Sequence, residues 1–248
     1  MKVVILAGGL GTRLSEYTKV IPKPMVKIGP FPIIVRIMHH YLKFGFNDFI
    51  IATGYKSFVF KKYFKNFKKD GIEFETKLLN QKCKINILDT GKTTLTGGRL
   101  KRVSNYLKKN EDFMFTYGDG LSSVNLKNLL HFHKNKKKLV TVTAVRPPAR
   151  FGEILIKKSK VILFKEKPQT TNSWINGGFF VANFNFLKFI RNDKEILEKW
   201  PLEQAAKKKE LVAFKHYGFW KCMDVKRDRD ELIKIYKKNN FKKELNHS

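Results

Sequence analysis

Residues 3–7, Val-Val-Ile-Leu-Ala, run without a polar break straight into Gly8-Gly9-Leu10-Gly11-Thr12-Arg13. An apolar run this short, bounded by glycines, reads as a strand buried on both faces, as in a parallel sheet. It is also shorter than the ~7–15-residue apolar segment of a secretion signal. The glycines remove side chains where backbone N–H groups must approach an anion, and they permit positive φ angles. By spacing alone the loop fits either a phosphate cradle or a tight strand-to-helix turn. It lacks the Gly-Lys-Ser/Thr of the Walker pattern and the third glycine of the dinucleotide pattern.

Beyond the glycine loop the chain continues in a β–α alternation. Ile33, Ile34, Ile37, Met38, Tyr41 and Leu42 recur at helical spacing after Pro32, and residues 48–53 form the next strand. Phe58, Val59, Tyr63, Phe64 and Phe67 mark a second helix; Leu100, Val103 and Leu107 mark a third. A strand over 113–117, a helix over 126–134 and a β-branched strand over 139–145 complete the pattern. The chain is predicted to be α/β, with a doubly wound, mostly parallel sheet. After Pro147-Pro148 short strands dominate (153–157, 161–165, 177–183, 211–217), with helices near 186–191 and 202–209 and a closing helix over 229–238. This is the small, strand-rich C-terminal part. The 248 residues suit a single domain of two halves, 1–146 and 147–248.

The formal charge of +30 invites a nucleic-acid reading, but only nine of the 51 basic residues are arginine. Readers of bases and phosphates favour arginine for its bidentate fork. The lysines are scattered over every element, so no nucleic-acid partner is expected, although anionic substrates are attracted. No apolar run reaches the ~18–20 residues needed to span a bilayer, so no membrane partner is expected either. Cys83 and Cys222 have no zinc or redox spacing and read as reduced fillers of a cytoplasmic protein. His39 and His40 are adjacent and His131 and His133 lie two apart on predicted helices, both poor for chelation, so all four read as structural or surface residues.

Two further words carry chemistry. Ile21-Pro22-Lys23-Pro24-Met25 sets a lysine between two prolines, each locking φ, and predicts a cation held on a stiff extended segment. Gly118-Asp119-Gly120 follows a strand, where it is either a turn or a ligand-bearing strand end. By position alone Asp224, which follows an aromatic strand, reads as a surface residue or a cap of the closing helix.

In order and spacing, the glycine loop with Thr12-Arg13, the Pro-Lys-Pro word and Asp119 resemble the sugar-phosphate nucleotidyltransferases, with their Rossmann-like fold. Leu88-Asp89-Thr90-Gly91, Thr96-Gly97-Gly98-Arg99-Leu100, Tyr117-Gly118-Asp119-Gly120, Arg150-Phe151-Gly152, Phe164 to Pro168, Ile175 to Phe180 and Gly218 to Asp224 look like the glucose-1-phosphate cytidylyltransferase branch. Two stretches depart from it: residues 74–88 are shorter, and the C-terminal tail differs.

The resemblance implies transfer of a cytidylyl group from CTP to α-D-glucose-1-phosphate, with Mg²⁺ as cofactor and a homo-oligomeric assembly. It casts Arg13 and Lys23 as catalytic. Leu6, Ala7, Gly8, Gly9, Gly11, Thr12, Thr94, Arg99 and Gly118 become nucleotide contacts, placing the nucleotide in the first half of the chain. Glu166, Lys167, Asn176, Gly177 and Gly178 become sugar-phosphate contacts in the second, and Asp119 and Asp224 metal ligands. Alternatives are the same chemistry on dTTP or mannose-1-phosphate, or a non-catalytic regulatory homologue. The aromatic residues Phe115, Tyr117, Phe179 and Phe180 read as core.

Overall fold

The computed structural model describes residues 1–64, 72–76, 81–146, 153–165 and 173–238. Its strands and helices, in chain order, are β1 (Lys2–Leu6), α1 (Ser15–Thr18), β2 (Lys27–Ile28), β3 (Phe31–Pro32), α2 (Ile33–Lys43), β4 (Asp48–Thr53), α3 (Ser57–Tyr63), β5 (Ile72–Thr76) and β6 (Gln81–Asp89). There follow α4 (Thr96–Val103), β7 (Asp112–Tyr117), β8 (Gly120–Ser122), α5 (Leu126–Lys136), β9 (Val140–Val145), β10 (Glu153–Lys157), β11 (Lys160–Lys165), β12 (Ile175–Asn183), α6 (Trp200–Lys207), β13 (Leu211–His216), β14 (Trp220–Cys222) and α7 (Lys226–Lys238).

One eight-stranded sheet runs β13-β9-β12-β7-β1-β4-β6-β5, so strands from both halves of the chain share it. The pairs β6–β4, β4–β1, β1–β7 and β9–β13 are parallel; β12 runs against both its neighbours and β5 against β6. The predicted doubly wound, mostly parallel sheet is therefore present. β1 is buried on both faces, as its unbroken apolar run requires. Val3 and Ile5 pack with Ile34, Met38 and Tyr41 of α2, while Val4 and Leu6 pack with Leu100 and Val103 of α4. The chain leaves β1 toward β4 and β6, then crosses back to β7 on the other side of β1. Loops after β1 and β7 thus diverge at their carboxyl ends and open a crevice, the usual ligand position in such sheets.

Several local expectations shift. The third helix stops at Val103 and continues as a 3₁₀ turn over Ser104–Tyr106, leaving Leu107 in extended backbone. Residues near 186–191 form a 3₁₀ stretch, Phe184–Phe189. The Pro-Lys-Pro word is also a 3₁₀ turn (Lys23–Met25) rather than an extended segment, closed by Met25 N–H donating to the Pro22 carbonyl at 2.8 Å. Phe67 lies outside the described residues. No described helix is long and apolar enough to cross a membrane.

Candidate active site

The glycine loop leaves β1 and is held from behind by one side chain. Arg99, on α4, is 4 % exposed, and burial draws its pKa below the ordinary arginine value. Its guanidinium donates to the Thr53 and Gly91 carbonyls and Thr90 Oγ1 through Nη1, and to the Gly8 carbonyl through Nη2, at 2.8–2.9 Å. The loop is therefore tied to the ends of β4 and β6. A methyl group on Gly8 would sit 2.1 Å from Arg99 Nη1, which explains a glycine there. Gly11 has φ +65°, the left-handed conformation that glycine adopts without strain. A 3₁₀ turn over Thr12–Leu14 follows and leaves Arg13 exposed.

Opposite the loop lies an ionic cluster. Lys23 Nζ donates to Asp119 Oδ2 at 2.6 Å and to Asp224 Oδ1 at 2.8 Å, and Arg13 Nη1 donates to Asp224 Oδ2 at 2.9 Å. Burial pulls the Lys23 ammonium toward neutrality, but the two carboxylates outweigh it and its pKa stands above the ordinary lysine value. Burial likewise opposes ionisation of Asp224, and Lys23 and Arg13 hold its pKa below the usual aspartate value. Backbone pairing sets this geometry. β14 pairs with β8, placing Cys222 opposite Gly120, and Met223 N–H donates to the Asp119 carbonyl at 2.9 Å. The capping role open to Asp224 falls instead to Asp228, whose carboxylate accepts from the Asp224 and Val225 amides.

Loop and cluster face one another across a cleft of about 510 Å³. Leu6, Ala7, Gly8, Gly9, Gly11, Thr12, Arg13, Lys23, Thr94, Arg99, Gly118, Asp119, Asn176, Gly177, Gly178 and Asp224 all line it. Glu166 and Lys167 lie outside the described residues. Gly118 is glycine because a methyl group would meet Pro24 Cγ at 2.8 Å. Gly178, at φ +80°, lets Tyr117 approach, and Asn176 bridges the two, donating to the Tyr117 hydroxyl at 3.1 Å and accepting from Gly178 N–H at 2.8 Å. Phe115, Phe179 and Phe180 are core, as expected. Tyr117 is half-buried and packs against that core, and it also lines the cleft, its hydroxyl donating to Glu198.

The chain matches the nucleotidyl transferase family model over residues 2–222. The chain belongs to the nucleotidyl transferase family. Among its relatives, a glucose-1-phosphate cytidylyltransferase from Salmonella typhimurium is 45% identical over 96% of each chain. A probable glucose-1-phosphate cytidylyltransferase from Bacillus subtilis is 38% identical over 95% of this chain and 96% of that one. A D-glycero-alpha-D-manno-heptose 1-phosphate guanylyltransferase from Aneurinibacillus thermoaerophilus is 32% identical over 88% and 89%. In fold, HddC from Yersinia pseudotuberculosis superposes with a TM-score of 0.72 at 22% identity, over 95% of this chain and 99% of that one.

For a nucleotidyl transferase the donor set is chemically apt. Two carboxylates on adjoining strand ends, with a primary ammonium seated between them, form a cation position that a divalent ion could share with phosphate oxygens. Two cleft residues, and one that braces the cleft wall, bear no chemical mark in the sequence. Cys222, taken for a filler, has its thiol within 4.8 Å of both carboxylates, and burial with those charges pushes its pKa up to about 12. Trp220 donates from Nε1 to the Gly177 carbonyl at 2.7 Å, bracing the Asn-Gly-Gly turn. Glu198 accepts from Thr96 at 2.9 Å as well as from Tyr117. Only the alternation Trp220-Lys221-Cys222 before an aspartate could have marked the first two. Nothing local marks Glu198, which meets the cleft residues Thr96 and Tyr117 through tertiary packing alone.

Proposed function

We propose that this chain transfers the cytidylyl group of CTP to α-D-glucose-1-phosphate, yielding CDP-glucose and pyrophosphate. The observation that carries it is the Lys23 ammonium held between Asp119 and Asp224, facing a glycine loop, in a chain so similar to the Salmonella cytidylyltransferase. A phosphate oxygen of the sugar phosphate, already ionised, attacks the α-phosphorus. The bond to the oxygen bridging the α- and β-phosphorus breaks, and pyrophosphate departs with the electron pair. No general base is needed, so the side chains align and neutralise. The glycine loop, with Thr12, Thr94 and Gly118, receives the nucleotide. Lys23 turns from the carboxylates to the α-phosphate and sugar phosphate, and Arg13 reaches the leaving pyrophosphate. Arg99 acts through Gly8, holding the loop's shape. Asn176, Gly177 and Gly178, with Glu166 and Lys167, receive the sugar phosphate.

Asp119 and Asp224 would hold the ion, which we take as Mg²⁺; it neutralises triphosphate charge when bound. The regulatory-homologue reading is disfavoured because Arg13, Lys23, Asp119 and Asp224 converge on one cleft. We assign the chain to the cytoplasm, as one domain with its nucleotide in the first half and its sugar in the second.

We also propose a homo-oligomer. The β10–β11 ribbon exposes apolar side chains on both faces: Ile154, Leu155, Ile156, Val161, Ile162, Leu163 and Phe164 are each 44–66 % exposed. A lone two-stranded ribbon is marginal in water, and these side chains together offer an area of the order of the ~800 Å² that one partner brings to a standard interface. A second copy of this chain covers it. The test of function is pyrophosphate release with CTP, dTTP, UTP or GTP and glucose- or mannose-1-phosphate. CTP with glucose-1-phosphate should exceed every other pair by tenfold or more, about 1.4 kcal/mol of discrimination. Equal or faster release with dTTP or mannose-1-phosphate would transfer the assignment to that substrate.

A further inference from the structure

The hydroxyl protons in one corner of the cleft each have one place to go. An ionised carboxylate only accepts, and Glu198 takes one proton on each oxygen: Tyr117 donates to Oε1, and Thr96 Oγ1 donates to Oε2 at 2.9 Å. A tyrosine hydroxyl carries a single proton. Once Tyr117 has turned it to Glu198 its oxygen can only accept, and it accepts from Asn176 Nδ2 at 3.1 Å. Burial, reinforced by the Glu198 charge, pushes the Tyr117 pKa up, so the hydroxyl keeps its proton. The Asn176 carboxamide is thereby set one way round: nitrogen toward Tyr117, and Oδ1 accepting from Gly178 N–H at 2.8 Å. Glu198 is itself anchored. Leu197 N–H donates to Thr96 Oγ1 at 2.9 Å and Gly97 N–H to the Glu195 carbonyl at 3.0 Å, which docks residues 195–198 on the amino end of α4. Thr96, Tyr117 and Asn176 line the cleft, whereas Glu198 reaches it through them.

We propose that Glu198 is a positioning residue for the sugar phosphate: acting through the Tyr117 hydroxyl, it fixes the direction of the Asn176 carboxamide. The inference rests on the assignment of Asn176 to the sugar phosphate above, and adds the residue that orients it. Beyond the two bonds described, Asn176 keeps one N–H and one carbonyl lone pair, a donor and an acceptor in fixed places for sugar hydroxyls. Without the Glu198 carboxylate, Tyr117 can turn its proton toward Asn176 and the amide can reverse. Gly178 N–H then meets an NH₂ group in place of an oxygen. Sugar binding must re-order this turn before it can use it, and affinity falls. Thr96 remains tied by the Leu197 amide, so the nucleotide side of the cleft keeps its shape.

Steady-state kinetics on Glu198→Ala, Tyr117→Phe and the double variant test this, using the nucleotide and sugar phosphate that the parent prefers in the pyrophosphate-release assay. Each single variant should raise KM for the sugar phosphate about tenfold, as for one lost hydrogen bond, while KM for the nucleotide and kcat move by less than about twofold. Because both residues act through one hydroxyl, the double variant should be no worse than either single one. Melting temperatures of the same variants separate a purely structural role. A lower melting temperature with the sugar-phosphate KM unchanged, or with both KM values raised together, overturns the proposal. So do single effects that multiply in the double variant. A parent that prefers another base or sugar phosphate revises the substrate assignment alone, since the cycle is run on the preferred pair. A parent that releases pyrophosphate with none of the pairs overturns the function and this role of Glu198 together.

Discussion

An ammonium between two carboxylates holds its charge over a wide pH range. Asp224 has its pKa lowered from the usual 3.8, so its contribution to stability is whole above that value and is lost as pH falls through the folded pKa. Lys23 has its pKa raised from 10.5, so its contribution is whole below that value and is lost as pH rises through the folded pKa. Neither group titrates near neutrality, and a rate profile should show no ionisation of Lys23 or Asp224 there. Lys23→Met should lower kcat by roughly 100- to 1,000-fold, the usual consequence of removing one electrostatic donor. A steady-state comparison that finds kcat preserved and only KM raised would assign Lys23 to binding alone. Most of this cluster was legible because Arg13, Lys23, Asp119 and Asp224 stand in short, dense words. Glu198 was not legible, because a lone carboxylate far along the chain meets the cleft residues Thr96 and Tyr117 only through packing.

At the scale of elements, apolar spacing located β1, α2, β4, β7, α5 and β9 to within a residue or two. It missed β6, whose lysines and Asn86 interrupt an otherwise apolar strand, and β8 and β14, too short to show a period. The seam between α5 and β9 carries a pH-sensitive contact. His133 is 3 % exposed; Nδ1 shares a 2.8 Å hydrogen bond with Thr141 Oγ1, and Nε2 lies 3.7 Å from Asp112 Oδ1. Burial lowers its pKa from 6.5, with Asp112 opposing and Lys134 adding to the shift. The folded chain therefore resists protonation. This contribution is whole above pH 6.5 and is lost as pH falls through the folded value. The melting temperature should decline below pH 6.5, and His133→Gln should flatten that slope; parallel curves for the two proteins would exclude His133 as the cause.

For the whole molecule, charge and the exposed ribbon act against one another. A net charge of +30 opposes self-association and attracts anionic substrates, and salt screens both effects. Raising ionic strength should therefore increase the mass seen by sedimentation while raising KM for the nucleotide. Leu155→Asp with Phe164→Asp should keep the chain monomeric at every salt concentration. An unchanged mass in that double variant would place the interface elsewhere.

The guanidinium behind the glycine loop also ties positions 8 and 99 together in inheritance. Gly8 has no positive-φ requirement, and the Arg99 guanidinium, held in place by four hydrogen bonds, supplies the nearest atoms that a methyl group there would meet. Arg99→Ala leaves buried carbonyls without donors, at about 3 kcal/mol or more, but it also frees the space at residue 8. A double-mutant cycle should thus find Gly8→Ala harmful beside arginine and nearly silent beside alanine, a coupling of roughly 1–3 kcal/mol. Position 8 can gain a side chain only once the arginine is gone, and a lineage that loses the arginine loses with it the reason for the glycine.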